Sequence, residues 1–220
     1  LVDMAVYNVL QSLRSEAGTR LMTAITMGAD GFSLTALTGA LLLFLLVRKR
    51  FALAAMAGLA IGAQSLFVPW VKGIIERPRP TTLYSGAETF SFPSGHATQS
   101  MTVLGIVAVI VAANLSARWR PLAIGVAVVA AMTVAFTRLY LGAHWLSDVS
   151  AGFCFGLLLT AIFAFVSRPR DKAVGLLPLA AILVPVYAIA YSVHLYRDYE
   201  RWAGNYAPTL TVSQMTEKHW

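Results

Sequence analysis

The chain has 220 residues, of which 58% are hydrophobic and 12% are charged, with a net charge of +7 and a mean hydropathy of +0.68. This composition is more apolar than that of a soluble globular domain and indicates a membrane protein. The basic residues lie in short segments between apolar runs, which argues against a nucleic-acid partner, and the single cysteine, Cys154, excludes an internal disulfide.

Residues 1–30 mix apolar and polar side chains at roughly helical spacing, which predicts two short amphipathic helices at the membrane surface, broken near Gly18. Apolar runs follow at 32–47, 52–71, 97–115, 122–137, 146–166 and 174–193. A spanning helix needs about 20 apolar residues, so the first and fourth runs must borrow flanking small residues. We therefore predict an all-α, polytopic membrane bundle with six transmembrane helices. It divides into an outer-face segment at 1–30, a membrane domain at 31–195 and an outer-face tail at 196–220.

The joints between successive pairs of runs are basic. They carry Arg48, Lys49, Arg50, Arg118, Arg120, Arg168, Arg170 and Lys172. By the positive-inside rule these joints face the cytoplasm of a bacterial inner membrane. The segments 72–96 and 138–146 then face the periplasm or cell exterior. The chain would also begin on that side, so we expect an odd number of crossings upstream, where a further membrane domain could be fused.

The ionisable residues near the membrane cluster in these two exterior segments. Pro93-Ser94-Gly95-His96 precedes an apolar run, so its backbone N–H groups would lie at the positive end of a helix and could bind an anion. Ser94 adds a hydroxyl donor, and His96 can exchange a proton near neutral pH. The sequence therefore predicts an anion-binding site built around this turn.

His144 and Asp148 are four residues apart and would share one helix face. The carboxylate could accept the proton of one ring nitrogen, which leaves the other nitrogen of His144 free to attack an electrophile. The cations that could bind a phosphoryl group are Lys72, Arg79 and Arg138, with Ser94 and Gly95 completing the cradle. His96 could then protonate the leaving oxygen and later activate water.

Three ordered motifs resemble the signature of the phosphatidic acid phosphatase type 2 superfamily. Lys72 is followed after six residues by Arg79-Pro80, Pro93-Ser94-Gly95-His96 comes next, and Thr137-Arg138 precedes His144 and Asp148. Thr137 replaces the usual Ser and keeps its hydroxyl. The resemblance implies a phosphohistidine intermediate on His144, with Asp148 as its partner and His96 as the acid. Because acids are few near the motifs, we expect no metal and no other cofactor.

The predicted function is hydrolysis of a phosphorylated membrane lipid. Candidate substrates are undecaprenyl pyrophosphate, phosphatidylglycerol phosphate, phosphatidic acid and lipid A. Two alternatives remain open from the residues: a phosphotransferase that passes the phosphoryl group to another lipid, and a lipid transporter without catalysis. Arg77 fits a site residue and an interfacial anchor equally well, whereas His194 and His219 are interpreted as ordinary structural histidines.

Overall fold

The computed structural model describes residues 1–81, 89–167 and 174–206. Two short helices, α1 (Val2–Ser12) and α2 (Glu16–Met27), precede the bundle. Its helices are α3 (Gly31–Val47), α4 (Phe51–Ile75), α5 (Gly95–Ala113), α6 (Arg120–Tyr140), α7 (Leu146–Val166) and α8 (Leu176–Asn205). Six helical stretches are long and apolar enough to cross a membrane, the first of them being α2 and α3 together. The all-α, multi-pass membrane fold is therefore confirmed.

The break between α1 and α2 lies at residues 13–15, so the prediction of a break near Gly18 is wrong. Ser15 caps α2, and its side chain accepts a hydrogen bond from the backbone N–H of Gly18. Gly18 lies inside α2. A glycine is needed at this position because a Cβ would be 2.2 Å from the hydroxyl oxygen of Tyr140. This glycine permits a close helix contact and does not end a helix.

The spanning helices extend beyond the predicted apolar runs at one end of the bundle. Helix α4 continues through Pro69 to Ile75, and α6 continues to Tyr140. Lys72 and Arg138 consequently lie in the last turns of helices and not in loops, and both side chains are buried. Helix α8 runs past residue 195 to Asn205. The boundary between membrane domain and tail remains a prediction, and residues 207–220 lie outside the described part.

Helix α5 is the most buried spanning helix and packs against α3, α4, α6 and α7. Its contact with α7 depends on small residues: a Cβ on Gly152 would be 2.5 Å from the carbonyl oxygen of Ser94, and one on Gly156 would be 2.6 Å from that of Thr98. Glycines four residues apart let two helix backbones approach closely inside a membrane. The start of α7 is thereby held against the start of α5.

The helix ends fall into two groups. At one end, called the basic end, Arg48 donates to the carbonyl oxygen of Val174, and the Asn114 side chain accepts from the N–H groups of Val174 and Gly175. At the other, called the site end, α4 and α6 end while α5 and α7 begin. The segments predicted to lie outside the cytoplasm therefore meet at one end of the bundle. The third basic joint, at 168–172, lies outside the described residues.

Candidate active site

A cavity of ≈ 450 Å³ opens among the helices at the site end. Its lining residues are Asp30, Gly31, Val68, Pro69, Lys72, Gly73, Arg79, Phe90, Gly95, His96, Gln99, His144 and Trp202. Five of the predicted site residues are therefore brought to one cavity from three separate segments of the chain. The other three, Ser94, Arg138 and Asp148, are buried and are not part of the lining.

Ser94 joins the two catalytic motifs through its backbone. It is the N-cap of α5, where its hydroxyl accepts from the N–H of Ala97 at 3.5 Å. Its own N–H donates to the backbone oxygen of Asp148 at 3.0 Å. The first turn of α5 thus presents Gly95 and His96 to the cavity, where the positive end of the helix favours an anion.

The imidazole of His96 lines the cavity, and its Nε2 is buried. No hydrogen-bond partner contacts this atom in the part of the chain that the structure describes. A buried ring nitrogen without a partner is costly unless a ligand or water satisfies it. This nitrogen is consequently available to a bound group.

The imidazole of His144 is held between Arg79 and Asp148. Its Nε2 lies 3.0 Å from Nη1 of Arg79, and its Nδ1 lies 3.5 Å from Oδ2 of Asp148. A guanidinium can only donate, so Nε2 must be the acceptor and the ring proton is assigned to Nδ1, facing the carboxylate. At this separation Nδ1 and Oδ2 are within ion-pair range but form no hydrogen bond, and Nδ1 has no hydrogen-bond partner among the described residues.

The surroundings of His144 favour the neutral ring. Burial first, and then the positive charges of Arg79, Arg138 and Lys72, lower the pKa of His144 well below its usual value of 6.5. The side chain therefore carries a lone pair on Nε2 at neutral pH. A lone pair directed at a cationic cavity is what nucleophilic attack on a phosphoryl group requires.

Lys72 and Arg79 give the cavity its positive charge. Nζ of Lys72 donates to the carbonyl oxygen of Phe90 at 2.7 Å, and Nη1 of Arg79 donates to that of Ala143 at 2.8 Å. These contacts hold both cations at the wall. Both cations line the cavity, which suits it to an anion.

Asp148 is completely buried and accepts hydrogen bonds on both oxygens. Oδ2 accepts from the N–H of Trp145 at 2.9 Å, and Oδ1 accepts from Nη1 of Arg77 at 2.7 Å. Pairing with Arg77 offsets the large cost of burying a carboxylate. Arg77 therefore contacts the site's carboxylate and is not a simple interfacial anchor.

Arg138 is buried beside the cavity. Its Nη1 donates to the hydroxyls of Thr26 at 3.0 Å and Tyr206 at 2.8 Å, and its guanidinium lies 5.4 Å from the centre of the Tyr206 ring. Its charge is close enough to contribute to the lowered pKa of His144. The structure thus places Arg138 near His144 and gives it partners that the sequence did not reveal.

Helix α8 supplies a row of site contacts that the sequence analysis missed. His194, Asp198, Trp202 and Tyr206 are each four residues apart and therefore share one helix face. His194 forms ion pairs with Asp30 and with Asp198, Trp202 lines the cavity, and Tyr206 contacts Arg138. The spacing of four residues could have predicted this helix face from the sequence. It was not recognised because the apolar run was taken to end at residue 193, before these residues.

No group of three or more His, Cys, Asp or Glu side chains that could hold a metal ion occurs within residues 1–81, 89–167 and 174–206. The acidic side chain in the cavity lining, Asp30, is already engaged: Oδ1 accepts from the N–H groups of Phe32 and Ser33, and Oδ2 pairs with His194.

A sequence profile of the PAP2 superfamily matches residues 53–172, more than half of the chain and all three motifs. The chain belongs to the PAP2 superfamily. Phosphatidylglycerophosphatase B of Bacillus subtilis (strain 168) is 33% identical over 163 residues, which cover 71% of this chain and 79% of that enzyme. The chain is accordingly a membrane lipid phosphatase of this family.

Two solved PAP2-type structures are similar. The crystal structure of a transmembrane PAP2-type phosphatidylglycerolphosphate phosphatase from Bacillus subtilis superposes with a TM-score of 0.65 at 29% identity, covering 74% of this chain and 83% of that one. The crystal structure of Aquifex aeolicus LpxE gives a TM-score of 0.57 at 21% identity, covering 74% of this chain and 94% of that one. The second likeness concerns the fold alone.

Proposed function

We propose that this protein hydrolyses the terminal phosphate of a membrane lipid through a phosphohistidine on His144. The observation that carries the proposal is the position of His144 in the cavity wall. Its Nε2 lone pair faces the cations, at 3.0 Å from Arg79, and Asp148 lies behind Nδ1. A phosphoryl group bound by Lys72 and Arg79 would place phosphorus in front of this nitrogen.

The first step forms the phosphorus–nitrogen bond. Nε2 of His144 attacks phosphorus, the bond to the lipid oxygen breaks, and His96 gives its proton to that oxygen. Arg79 shifts its donors from Nε2 to the phosphoryl oxygens. With Lys72 and the N–H groups at the start of α5, it then stabilises the charge spread over these oxygens.

The second step hydrolyses the phosphorus–nitrogen bond that the first step formed. The now neutral His96 takes a proton from a water molecule, whose oxygen attacks phosphorus as the bond to His144 breaks. Inorganic phosphate leaves, and both histidines return to their initial states. Throughout, the proton stays on Nδ1 of His144, where Asp148 can accept it in a hydrogen bond and stabilise the positive charge that develops on the ring. Arg138 and Ser94 are proposed to assist phosphate binding from behind the lining.

Trapping the intermediate tests this mechanism. Labelled p-nitrophenyl phosphate has a leaving group that needs no proton, so His96→Ala should form the intermediate and hydrolyse it slowly. We expect an alkali-stable, acid-labile label to accumulate on His96→Ala and to be absent from His96→Ala/His144→Ala. Label that survives in the double variant would contradict the assignment of His144 as nucleophile.

The lipid itself is a proposal that rests on similarity. The relative that matches over most of its length is named for phosphatidylglycerophosphate, so we propose this lipid first. Phosphatidic acid, undecaprenyl pyrophosphate and lipid A follow. Phosphate release from each lipid, at equal mole fraction in detergent micelles, gives kcat/KM for the panel. Transfer of label to an added lipid in place of release would identify a phosphotransferase, and no turnover of any lipid would favour a transporter.

We further propose that turnover needs no metal ion, because Lys72 and Arg79 supply the positive charge that Mg²⁺ supplies to many phosphoryl-transfer enzymes. Activity should be unchanged after EDTA treatment and dialysis. An activity that is lost with EDTA and returns with Mg²⁺ would contradict this expectation.

The cavity is proposed to open on the periplasmic or exterior face. The support is the charge of the opposite end, where Arg48, Lys49, Arg50, Arg118 and Arg120 lie. In a Cys154→Ser background, a cysteine at Thr89 should react with an impermeant maleimide in intact spheroplasts. One at Ala117 should react only after lysis. The reverse pattern would place hydrolysis at the inner leaflet.

A further inference from the structure

Arg77 has an unusual position for a charged residue next to an active site. It is not among the residues that line the cavity. Its guanidinium instead joins two carboxylates, with Nη1 at 2.7 Å from Oδ1 of Asp148 and Nη2 at 2.7 Å from Oδ2 of Asp3. Its guanidinium also lies 5.6 Å from the ring centre of Trp145. Both ends of the guanidinium fork are therefore fixed by carboxylates outside the cavity lining.

Asp148 depends on this arginine. The carboxylate has no exposed surface. Arg77 holds Oδ1, the N–H of Trp145 holds Oδ2, and Oδ2 lies 3.5 Å from Nδ1 of His144. A buried carboxylate that loses its cation either takes up a proton or moves toward water. In both cases it would cease to accept the Nδ1 proton of His144.

Asp3 fixes the arginine from α1. Its Oδ1 accepts from the N–H of Ser147 at 2.9 Å, and its Oδ2 accepts from the Ser147 hydroxyl at 2.6 Å as well as from Arg77. Partial burial raises the pKa of Asp3, but the hydrogen bonds from Ser147 and Arg77 outweigh it and lower the pKa to about 2. Asp3 is consequently ionised throughout the neutral range. Its carboxylate also lies against the N-terminus of α7, where a negative charge is favourable.

Helix α1 is anchored to the rest of the site end at further points. Gln11 donates to the carbonyl oxygen of Tyr140 at 3.2 Å, and the ring of Tyr7 lies 5.7 Å from that of Trp145. The position of Asp3 is therefore set by the docking of a whole helix. Exposed apolar side chains on α1, among them Val2, Met4, Val9 and Leu13, suit contact with the membrane surface.

We propose that Asp3 and Arg77 are positioning residues that connect α1 to the nucleophile. Asp3 orients the guanidinium of Arg77, Arg77 keeps Asp148 ionised and turned toward His144, and Asp148 orients the ring. The proposal rests on the function proposed for His144. Because neither Asp3 nor Arg77 lines the cavity, their loss should lower kcat and leave KM nearly unchanged.

The test compares Asp3→Asn with Glu16→Gln, which removes an exposed carboxylate on the neighbouring helix α2. With phosphatidic acid in mixed micelles, Asp3→Asn should lower kcat by about tenfold and change KM by less than about twofold. The kcat–pH profile of Asp3→Asn should also differ from that of wild type, since Asp148 would no longer be held by the Asp3–Arg77 pair. Glu16→Gln should match wild type in all three quantities.

A double-mutant cycle separates positioning from simple stabilisation. If Asp3 acts through Arg77, Asp3→Asn/Arg77→Gln should be hardly slower than Arg77→Gln alone. Losses that multiply would overturn the proposal, as would an Asp3→Asn variant with lowered thermal stability but wild-type kcat and pH profile. If wild type shows no turnover, or if His144→Ala turns over as fast as wild type, the function proposed for His144 is wrong. This outcome differs from a failure of the Asp3–Arg77 proposal, in which wild type is active and depends on His144.

Discussion

The molecule contains two histidine–aspartate pairs with the same spacing, His144 with Asp148 and His194 with Asp198. Both imidazoles are buried, and both pairs lie at the site end. The ring of His144 has a cation at Nε2 and a carboxylate at 3.5 Å from Nδ1. The ring of His194 faces a carboxylate on each side, Asp30 at Nε2 and Asp198 at Nδ1.

The neighbours of the two rings therefore determine their chemistry. A carboxylate lies against each ring nitrogen of His194, so neither nitrogen is open to a phosphoryl group. Arg79 can only donate, so His144 keeps its lone pair. The spacing of four residues places a histidine and an aspartate on one helix face, but the partner from another helix decides between a structural ion pair and a nucleophile.

Alanine at each histidine is the strongest test of this comparison. His144→Ala should lower kcat by roughly 1,000-fold or more, because the nucleophile is lost. His194→Ala should retain measurable turnover but destabilise the fold by about 3 kcal/mol, because Asp30 and Asp198 lose their shared partner. Initial rates and thermal unfolding in the same detergent measure both. Equal loss of activity in the two variants would break the distinction.

The pairs also differ in how their helices are packed. Asp148 lies in the first turn of α7, where a Cβ built on the nearby Gly152 would be 2.5 Å from the carbonyl oxygen of Ser94. A Cβ built on Gly204, near Asp198, would have no atom within 4 Å. Gly152→Ala should push α7 away from Ser94 and separate His144 from His96. We expect at least a tenfold loss of kcat/KM and a lower Tm, since overpacking costs about 1–3 kcal/mol. Gly204→Ala, the control, should behave as wild type.

A smaller effect on activity is expected from the contact between Tyr206 and Arg138, which lies beside His144 and Asp148. Tyr206→Phe keeps the ring over Arg138 but removes the hydroxyl that accepts from it. We expect a loss of about threefold in kcat/KM, which is about 0.65 kcal/mol and less than the usual value for a hydrogen bond to a charged group, because Arg138 keeps its contact with Thr26. Tyr191→Phe removes a hydroxyl that donates to Ala24 at 2.9 Å and serves as the control. Equal losses in both would mean that the effect is not specific to Arg138.

The smallest effect concerns pH. The pKa of His144 lies below 6.5, so the neutral nucleophile persists as pH falls through 6.5. An ordinary histidine would be about 90% protonated at pH 5.5. We expect kcat/KM to fall by less than about twofold between pH 7 and 5.5. An acid limb with a midpoint at 6.5 or above would show that His144 is not shielded as described.

The lowered pKa of His144 also affects how the free energy of unfolding depends on pH. The unfolded chain binds a proton at His144 near pH 6.5 and the folded chain does not, so this residue destabilises the fold as pH falls below 6.5. Asp3 contributes the opposite type of group: its stabilisation is present above pH 3.8 and is lost as pH falls toward about 2. Unfolding measured from pH 7 down to about pH 2 should show the loss from His144 before the loss from Asp3.

Much of the fold could be predicted because it depends on local sequence. Runs of apolar residues long enough to span a bilayer gave the six crossings, and fixed motif spacings placed His96 and His144 at the same cavity. The helix ends were less accurate, since Lys72 and Arg138 continue helices that hydropathy alone had ended. Charged residues in the last turn of a spanning helix interrupt the apolar pattern without interrupting the helix.

The remaining features depend on contacts between distant residues. Gly18 was interpreted as a helix break, but its partner is Tyr140, more than a hundred residues later. Arg77 could not be distinguished from an anchor because Asp3 and Asp148 reach it from opposite parts of the chain. Tyr206 and Trp202 lie beyond the last apolar run. No local pattern reports such pairs.

Helix α8 gives the order of synthesis a functional consequence. Trp202 lines the cavity and Tyr206, which directly follows α8, contacts Arg138, yet both leave the ribosome after the other described helices. A nascent chain that has inserted α3 to α7 already contains His96 and His144, but it lacks these two contacts. Phosphatase activity should therefore appear only after α8 has been inserted.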